Sequence, residues 1–360
     1  MQLSDSEAVA YGLLALCAEN MYAAAPNALN PPAPSQIAAA GWNIVGYLTA
    51  QDVLIPSRLA PDQKLRINQS KRIFYGFVAR NVAHPTVFVA AIRGTEALVE
   101  WFIDAEFLLI PHPRYPAAHV EQGFWGIYQT MSLADLSGVT THQHAPEGVE
   151  QLVGTGSIVV TGHSLGSALA TYFTESLARR LGASATACLF ASPRTGDPAW
   201  ATIFDQKVSE YRLFNYILDI VPHVPSGVLY GALPKATVVQ PRGAQAGIRL
   251  DLGCNHHLLS YCALLDYADE QKAGPDPSSP PCILGPASSI QETTVAWALI
   301  VTEAGVATEK VRLLLKGPSY REPGLAALRP PNFAAATSSG FRASRPPGRS
   351  FRHAAVRSSC

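Results

Sequence analysis

Charge is scarce in this chain. Only 15% of its 360 residues are Asp, Glu, Lys or Arg, and 27 basic residues balance 27 acidic ones. A balanced chain has no electrostatic footprint for nucleic acid, so none is expected as a partner. Long hydrophobic runs are missing too. None reaches the roughly 18 residues of a membrane span, so no transmembrane segment is expected. No Cys-x-x-Cys pair occurs and no Cys/His set has zinc-site spacing, so no metal and no cofactor is expected. The first seven residues hold Asp5 and Glu7 but no Lys or Arg, unlike the start of a secretory signal. The expectation is a cytoplasmic location by default, with export by another route left open.

What is there is core. Apolar residues make up 48% of the chain, enough for one large α/β domain or two smaller ones. The charge is unevenly placed. From Gly317 to Cys360 there are seven Arg and one Glu, a net +6, so the first 316 residues carry −6. Of the cysteines, Cys188 sits in an apolar stretch and reads as a small buried hydrophobe. A disulfide among Cys254, Cys262 and Cys282 is open, but free thiols are favoured in a chain this long.

The run Ala8–Ala18 reads as a buried helix capped by Ser4 or Asp5, giving out near Pro26. Ile73–Ala79 and Thr86–Ile92 read as a strand pair. Ser157–Thr161, Ala185–Phe190 and Tyr211–Leu218 are further strand candidates, and Ser167–Leu181 is helical. Strands alternating with helices predict an α/β sheet with crossover helices. Val238–Leu252 suggests a peripheral hairpin, and Leu258–Ala268 an amphipathic helix. After Lys272 the chain becomes linker-like, with short helical pieces expected at Val295–Val301 and Val311–Leu315. Beyond Gly317, Pro, Ser, Ala and Arg predict disorder.

Chemistry concentrates at Gly162-His163-Ser164-Leu165-Gly166, a G-x-S-x-G after an apolar strand and before a helix. That context is a nucleophile elbow. A turn this tight leaves no room for side chains at 162 and 166. It sets the Ser164 hydroxyl at a helix N-terminus, where N–H groups and the dipole favour a developing oxyanion. The bland alternative is a serine that only caps the helix.

Serine needs a base, and in this fold class the order is Ser, then Asp or Glu, then His. Four distant histidines follow: His223, His256, His257 and His353. His353 lies in the expected disorder, and His223 is only four residues past Asp219. The pair before the last helix remains, with His256 preferred as base and His257 as the alternative. Asp219, at the C-terminal end of its strand, is preferred as the acid, with Asp197 as runner-up. Either aspartate could instead only cap a turn. The oxyanion donors are expected to be the N–H groups of Leu165 and Thr95. After Thr95, Glu96, Glu100 and Asp104 share one helical stripe beside Leu98, Trp101 and Phe102. This suggests a lid, against the alternative of an ordinary core helix.

With these blocks in view, the stretch from Ile73 to Asp266 resembles the class 3 (fungal-type) triacylglycerol lipases. The likeness rests on ArgGlyThr…Trp101…Asp104, ValGluGlnGlyPhe, GlyHisSerLeuGly, PheAlaSerProArgThrGlyAsp, AsnTyrIleLeuAspIleValProHisValPro and AsnHisHisLeuLeuSerTyr. It implies an α/β-hydrolase fold, a mostly parallel central sheet flanked by helices with a lid over about Glu96–His112. It also implies a Ser164–Asp219–His256 triad, an oxyanion hole from Thr95 and Leu165, and no metal in the chemistry. Glu121 and Glu100 depart from the family's habits, and the doubled histidine blurs the base by one position. The expected organisation is a catalytic domain over 1–284 and an extension over 285–360. The expected activity is ester hydrolysis on a lipid or small ester, at a lipid–water interface if the lid opens there. A short-chain carboxylesterase, a phospholipase A1-like enzyme, a feruloyl esterase and an inactive binding or scaffold protein are the alternatives.

Overall fold

The computed structural model describes residues 3–51, 71–95, 107–225, 228–241, 246–249, 252–266 and 282–286. Most of the expected lid, the linker after Lys272 and the extension beyond 286, with its helical pieces and His353, lie outside the described residues.

The helices are α1 (Asp5–Ala24), α2 (Ser35–Ala39), α3 (Gln122–Gln129), α4 (Ala145–Val153), α5 (Leu165–Leu181), α6 (Pro198–Lys207), α7 (Leu252–His256) and α8 (Leu258–Leu265). The strands are β1 (Trp42–Gln51), β2 (Arg72–Asn81), β3 (Val87–Ile92), β4 (Leu109–Pro111), β5 (His119–Glu121), β6 (Ser132–Ala134), β7 (Thr140–His142), β8 (Ser157–His163), β9 (Ala185–Phe190), β10 (Tyr211–Tyr216), β11 (Ala236–Val239), β12 (Ala246–Ile248) and β13 (Ile283–Pro286). Among the described residues, no helix is long and apolar enough to cross a membrane.

Among the described residues, nine strands form one sheet in the order β11-β10-β9-β8-β3-β2-β1-β6-β7. From β3 to β11 the pairings are parallel, with Ile92 opposite Gly162 and His163 opposite Phe190. From β3 to β7 they are antiparallel. Strands β8, β9 and β10 are joined through α5 and α6, since a parallel connection needs a crossover. Their apolar runs, such as Ile158–Val160 and Ala187–Phe190, are buried, as a sheet covered on both faces requires. This is the α/β-hydrolase fold, with α5 packed on β8 and β9.

Helix α1 starts as expected. Ser4 caps it in a capping box, accepting from the Glu7 N–H while Glu7 accepts from the Ser4 N–H. The helix runs past Ala18 to Ala24, and so carries Glu19.

Three expectations need correction. Val238–Leu252 is no hairpin: β11 adds in parallel to β10, and β12 pairs with the distant β13, Ile248 facing Ile283. A sequence-local pattern does not reveal a partner that far along the chain. Helix α8 is not amphipathic, because Leu258–Leu264 are all buried, and all but Ser260 share one cluster with Ala8, Val9 and Leu16 of α1 and Phe214 of β10. A helix enclosed on all sides has no polar face to show. Cys254 and Cys282 form a disulfide, with Cα atoms 5.1 Å apart, while Cys262 is a buried thiol outside that bond. The β12–β13 pairing brings the two cysteines together, with the Arg249 N–H donating to the Cys282 carbonyl over 2.7 Å. Cys188 is fully buried, as its apolar surroundings require.

Candidate active site

Strand β8 ends in the elbow. Ser164 has φ +56° and ψ −124°, a left-handed conformation rare for a non-glycine residue. Its N–H donates to the Phe190 carbonyl at 3.1 Å, and its own carbonyl accepts from Ala168 as α5 begins. The flanking glycines are forced by space. A Cβ at 162 would lie 2.4 Å from the Gly166 backbone, and one at 166 would lie 2.3 Å from the Ile92 carbonyl oxygen. The start of α5 therefore lies directly against the end of β3, where the loop to Thr95 begins.

Helix α7 ends at His256. The His256 Nε2 lies 2.8 Å from the Ser164 Oγ, and its Nδ1 lies 2.7 Å from the Asp219 Oδ2. A carboxylate can only accept, so Nδ1 carries the proton and Nε2 offers its lone pair to the hydroxyl. Ser164, Asp219 and His256 are 0%, 2% and 6% exposed, so this chain of contacts runs through a dry region where electrostatic interactions are strong. Asp219 follows β10, and its other oxygen accepts from the Val221 N–H at 2.9 Å.

The other candidates are elsewhere engaged. His257 sits one position on and caps α8, its Nδ1 accepting from the Leu259 N–H at 3.2 Å. Asp197 caps α6 through the Trp200 N–H at 2.8 Å and also accepts from His119. His223 ends the short turn Val221–His223, next to Asp219 in sequence. Glu121 caps α3 through the Phe124 N–H at 2.7 Å, and burial pushes its carboxyl above the usual range despite that bond.

Leu165 opens α5, where the first N–H groups have no partner inside the helix. Thr95 is half-buried, and its hydroxyl accepts from the Arg93 guanidinium at 3.2 Å. Arg93 is itself buried. It donates to the carbonyls of Phe74 at 2.8 Å and Gly94 at 2.9 Å, and stacks over the rings of Tyr22 and Tyr75. A buried guanidinium fixed on so many sides fixes the loop it grips.

Sequence reasoning missed two more participants. The Tyr261 hydroxyl donates to the Asp219 Oδ2 at 2.6 Å and accepts from the Tyr216 N–H at 3.0 Å. Burial and the nearby Asp219 charge push its phenol far above the ordinary value, so it remains a donor. The second is Glu19 on α1, which accepts from the Gly94 N–H at 3.1 Å and meets the His163 Nδ1 at 3.2 Å. Burial works to raise the Glu19 carboxyl. The His163 bond and charge, the His257 charge and the Gly94 N–H outweigh it and hold the carboxyl below its ordinary value.

The arrangement resembles known proteins. Residues 89–229 match the family model described as Lipase (class 3). A lipase of Rhizomucor miehei is 29% identical over 41% of this chain and 40% of its own length. A phospholipase A1-II 4 of Oryza sativa subsp. japonica is 31% identical over 38% of this chain and 39% of its own length. A secreted mono- and diacylglycerol lipase A of Penicillium camembertii is 29% identical over 42% of this chain and 46% of its own length. The matched stretch thus spans less than half the length of these curated relatives. Among solved structures, the native Rhizomucor miehei lipase propeptide complex is 21% identical, with a TM-score of 0.48, over 65% of this chain and 67% of that one. By the family match, residues 89–229 are a class 3 lipase region, and the fungal lipases among these relatives share that likeness.

Proposed function

We propose that the protein is a serine carboxylic-ester hydrolase, a lipase acting on acylglycerol esters, with Ser164 as nucleophile, His256 as base and Asp219 as the orienting acid. One observation carries this reading: a lone pair on the His256 Nε2 faces the Ser164 hydroxyl at 2.8 Å while Asp219 holds the opposite nitrogen. His256 takes the hydroxyl proton as Oγ bonds to the ester carbonyl carbon. The carbonyl oxygen becomes an oxyanion, which the N–H groups of Leu165 and Thr95 stabilise. The C–O bond to the alcohol breaks, and the alcohol leaves with the proton from His256. Water then gives a proton to His256 as its oxygen bonds to the acyl carbon. The bond from that carbon to the Ser164 Oγ breaks, the acid leaves, and His256 returns the proton to Oγ.

Two features tune this scheme. Tyr261 shares the Asp219 oxygen with His256, so the carboxylate is fixed on both sides. The complete burial of Ser164 requires that a surface part before substrate enters, which fits turnover at a lipid–water interface. The rice relative favours a second reading within the same chemistry, hydrolysis of a phospholipid acyl ester.

The test is hydrolysis of emulsified triacylglycerol, phosphatidylcholine vesicles and a soluble p-nitrophenyl butyrate standard by wild type and Ser164→Ala. The expected result is triacylglycerol cleavage that rises once substrate passes its solubility limit and vanishes in the variant. Activity on the soluble ester alone would overturn the lipase reading, and faster cleavage of phosphatidylcholine would select the phospholipase. Activity persisting in Ser164→Ala would overturn the mechanism. The domain organisation proposed with it is a catalytic unit over 1–284 and an extension over 285–360, with β13 straddling the boundary and pairing with β12 as far as Pro286.

A further inference from the structure

Helix α1 brings a second carboxylate, Glu19, to the back of the elbow. Glu19 is 19% exposed at the side chain, and His163 is 8% exposed. The His163 Nε2 lies 2.6 Å from the backbone carbonyl oxygen of His256. A carbonyl oxygen only accepts, so Nε2 carries a proton. The His163 Nδ1 lies 3.2 Å from the Glu19 Oε1, which already accepts the Gly94 N–H. Two lone pairs facing one another at that distance would repel, so a second proton lies between Nδ1 and Oε1.

We propose that Glu19 and His163 form a mostly buried imidazolium–carboxylate pair that positions the main chain of His256 and the loop after β3. The pair touches three pieces at once: the residue before Ser164, the backbone of the base, and the N–H of Gly94 one residue before Thr95. A charged ring gives a stronger bond to the His256 carbonyl than a neutral one, in keeping with its short length. The groups facing the pair are the His256 ring, 4.6 Å from the His163 ring, the Tyr261 ring at 6.2 Å, the Arg93 guanidinium beside Gly94, and His257, whose charge Glu19 feels. None of these donates to Glu19 in place of His163. The positioning role rests on the hydrolase reading above, but the proton count does not.

The experiment uses the full chain with 15N-labelled histidine. Nitrogen spectra near neutral pH count the protons on the His163 ring, assigned by their loss in His163→Asn. Kinetics on p-nitrophenyl butyrate, normalised by fluorophosphonate labelling of Ser164, give kcat and KM. Wild type is expected to show both His163 nitrogens protonated, and Glu19→Gln only one. Glu19→Gln is expected to lose about tenfold in kcat with KM unchanged, the scale of exchanging a charged for a neutral hydrogen bond. Should Glu19→Gln not fold, His163→Asn carries the same kinetic expectation. A singly protonated His163 in wild type would overturn the ion pair, and wild-type kcat in the folded variant would overturn the positioning role. If wild type cleaves no ester, the proposed function fails while the ring-proton count still decides the pair.

Discussion

The two halves of the central sheet do different work. In the parallel half, every strand that bears a candidate group delivers it just beyond its C-terminal end: Thr95 after β3, Ser164 after β8, Asp219 after β10. The antiparallel half, β1, β2, β6 and β7, delivers none of the three side chains of the proposed triad. It buries Phe74 and Phe77 against Leu14 and Met21 of α1 and anchors Arg93 through the Phe74 carbonyl. Parallel strands all present their C-terminal ends at one edge, so groups far apart in sequence converge there. An antiparallel meander alternates its ends and cannot gather them in that way.

Substitutions can break this contrast or sharpen it. The largest effect is expected at the parallel edge. Ser164→Ala should lower kcat by a factor on the order of 10⁴ or more with the folding midpoint little changed, read by ester kinetics and thermal denaturation. Asp219→Asn should follow at about 10³–10⁴, because the amide no longer fixes the tautomer. In the antiparallel half, Phe77→Ala should cost ~3–5 kcal/mol in urea denaturation while kcat per fluorophosphonate-labelled site stays at wild type. A large loss of kcat there would erase the division of labour.

Smaller effects test the supports. Reducing the Cys254–Cys282 bond, which closes a span of 28 residues ahead of β13, should cost about 3–4 kcal/mol by the loop-entropy model, measured in urea with and without dithiothreitol. The smallest concerns acid. The Glu19 carboxyl is held below its ordinary value, so its stabilisation is complete above about pH 4.5 and is lost as pH falls through the lower folded value. Glu19→Gln should therefore lower the thermal midpoint near neutral pH and flatten its fall below pH 4.5. An unchanged acid limb would contradict the direction of that shift.

What the sequence made legible follows from how local each demand is. The elbow is written in five consecutive residues because sterics at 162 and 166 act within one turn. Asp219 was reachable from chain order and strand position. Chain order favours His256 but leaves His257 open, since both lie just before α8. Only the break between α7 and α8 turns one ring to Ser164 and the other to a cap. Strand β1 escapes because Asn43, Gly46, Thr49 and Gln51 dilute its apolar alternation. Tyr261, Glu19 and the disulfide depend on partners 42, 144 and 28 residues away, and no local pattern encodes such pairings.

The most direct measurement is kcat on p-nitrophenyl butyrate for His256→Ala beside His257→Ala, with both folds verified by circular dichroism. His256→Ala should fall by several orders of magnitude, and His257→Ala should stay close to wild type, losing about 1 kcal/mol of stability at most with its cap. The reverse result, with His257→Ala inactive and His256→Ala active, would contradict the account.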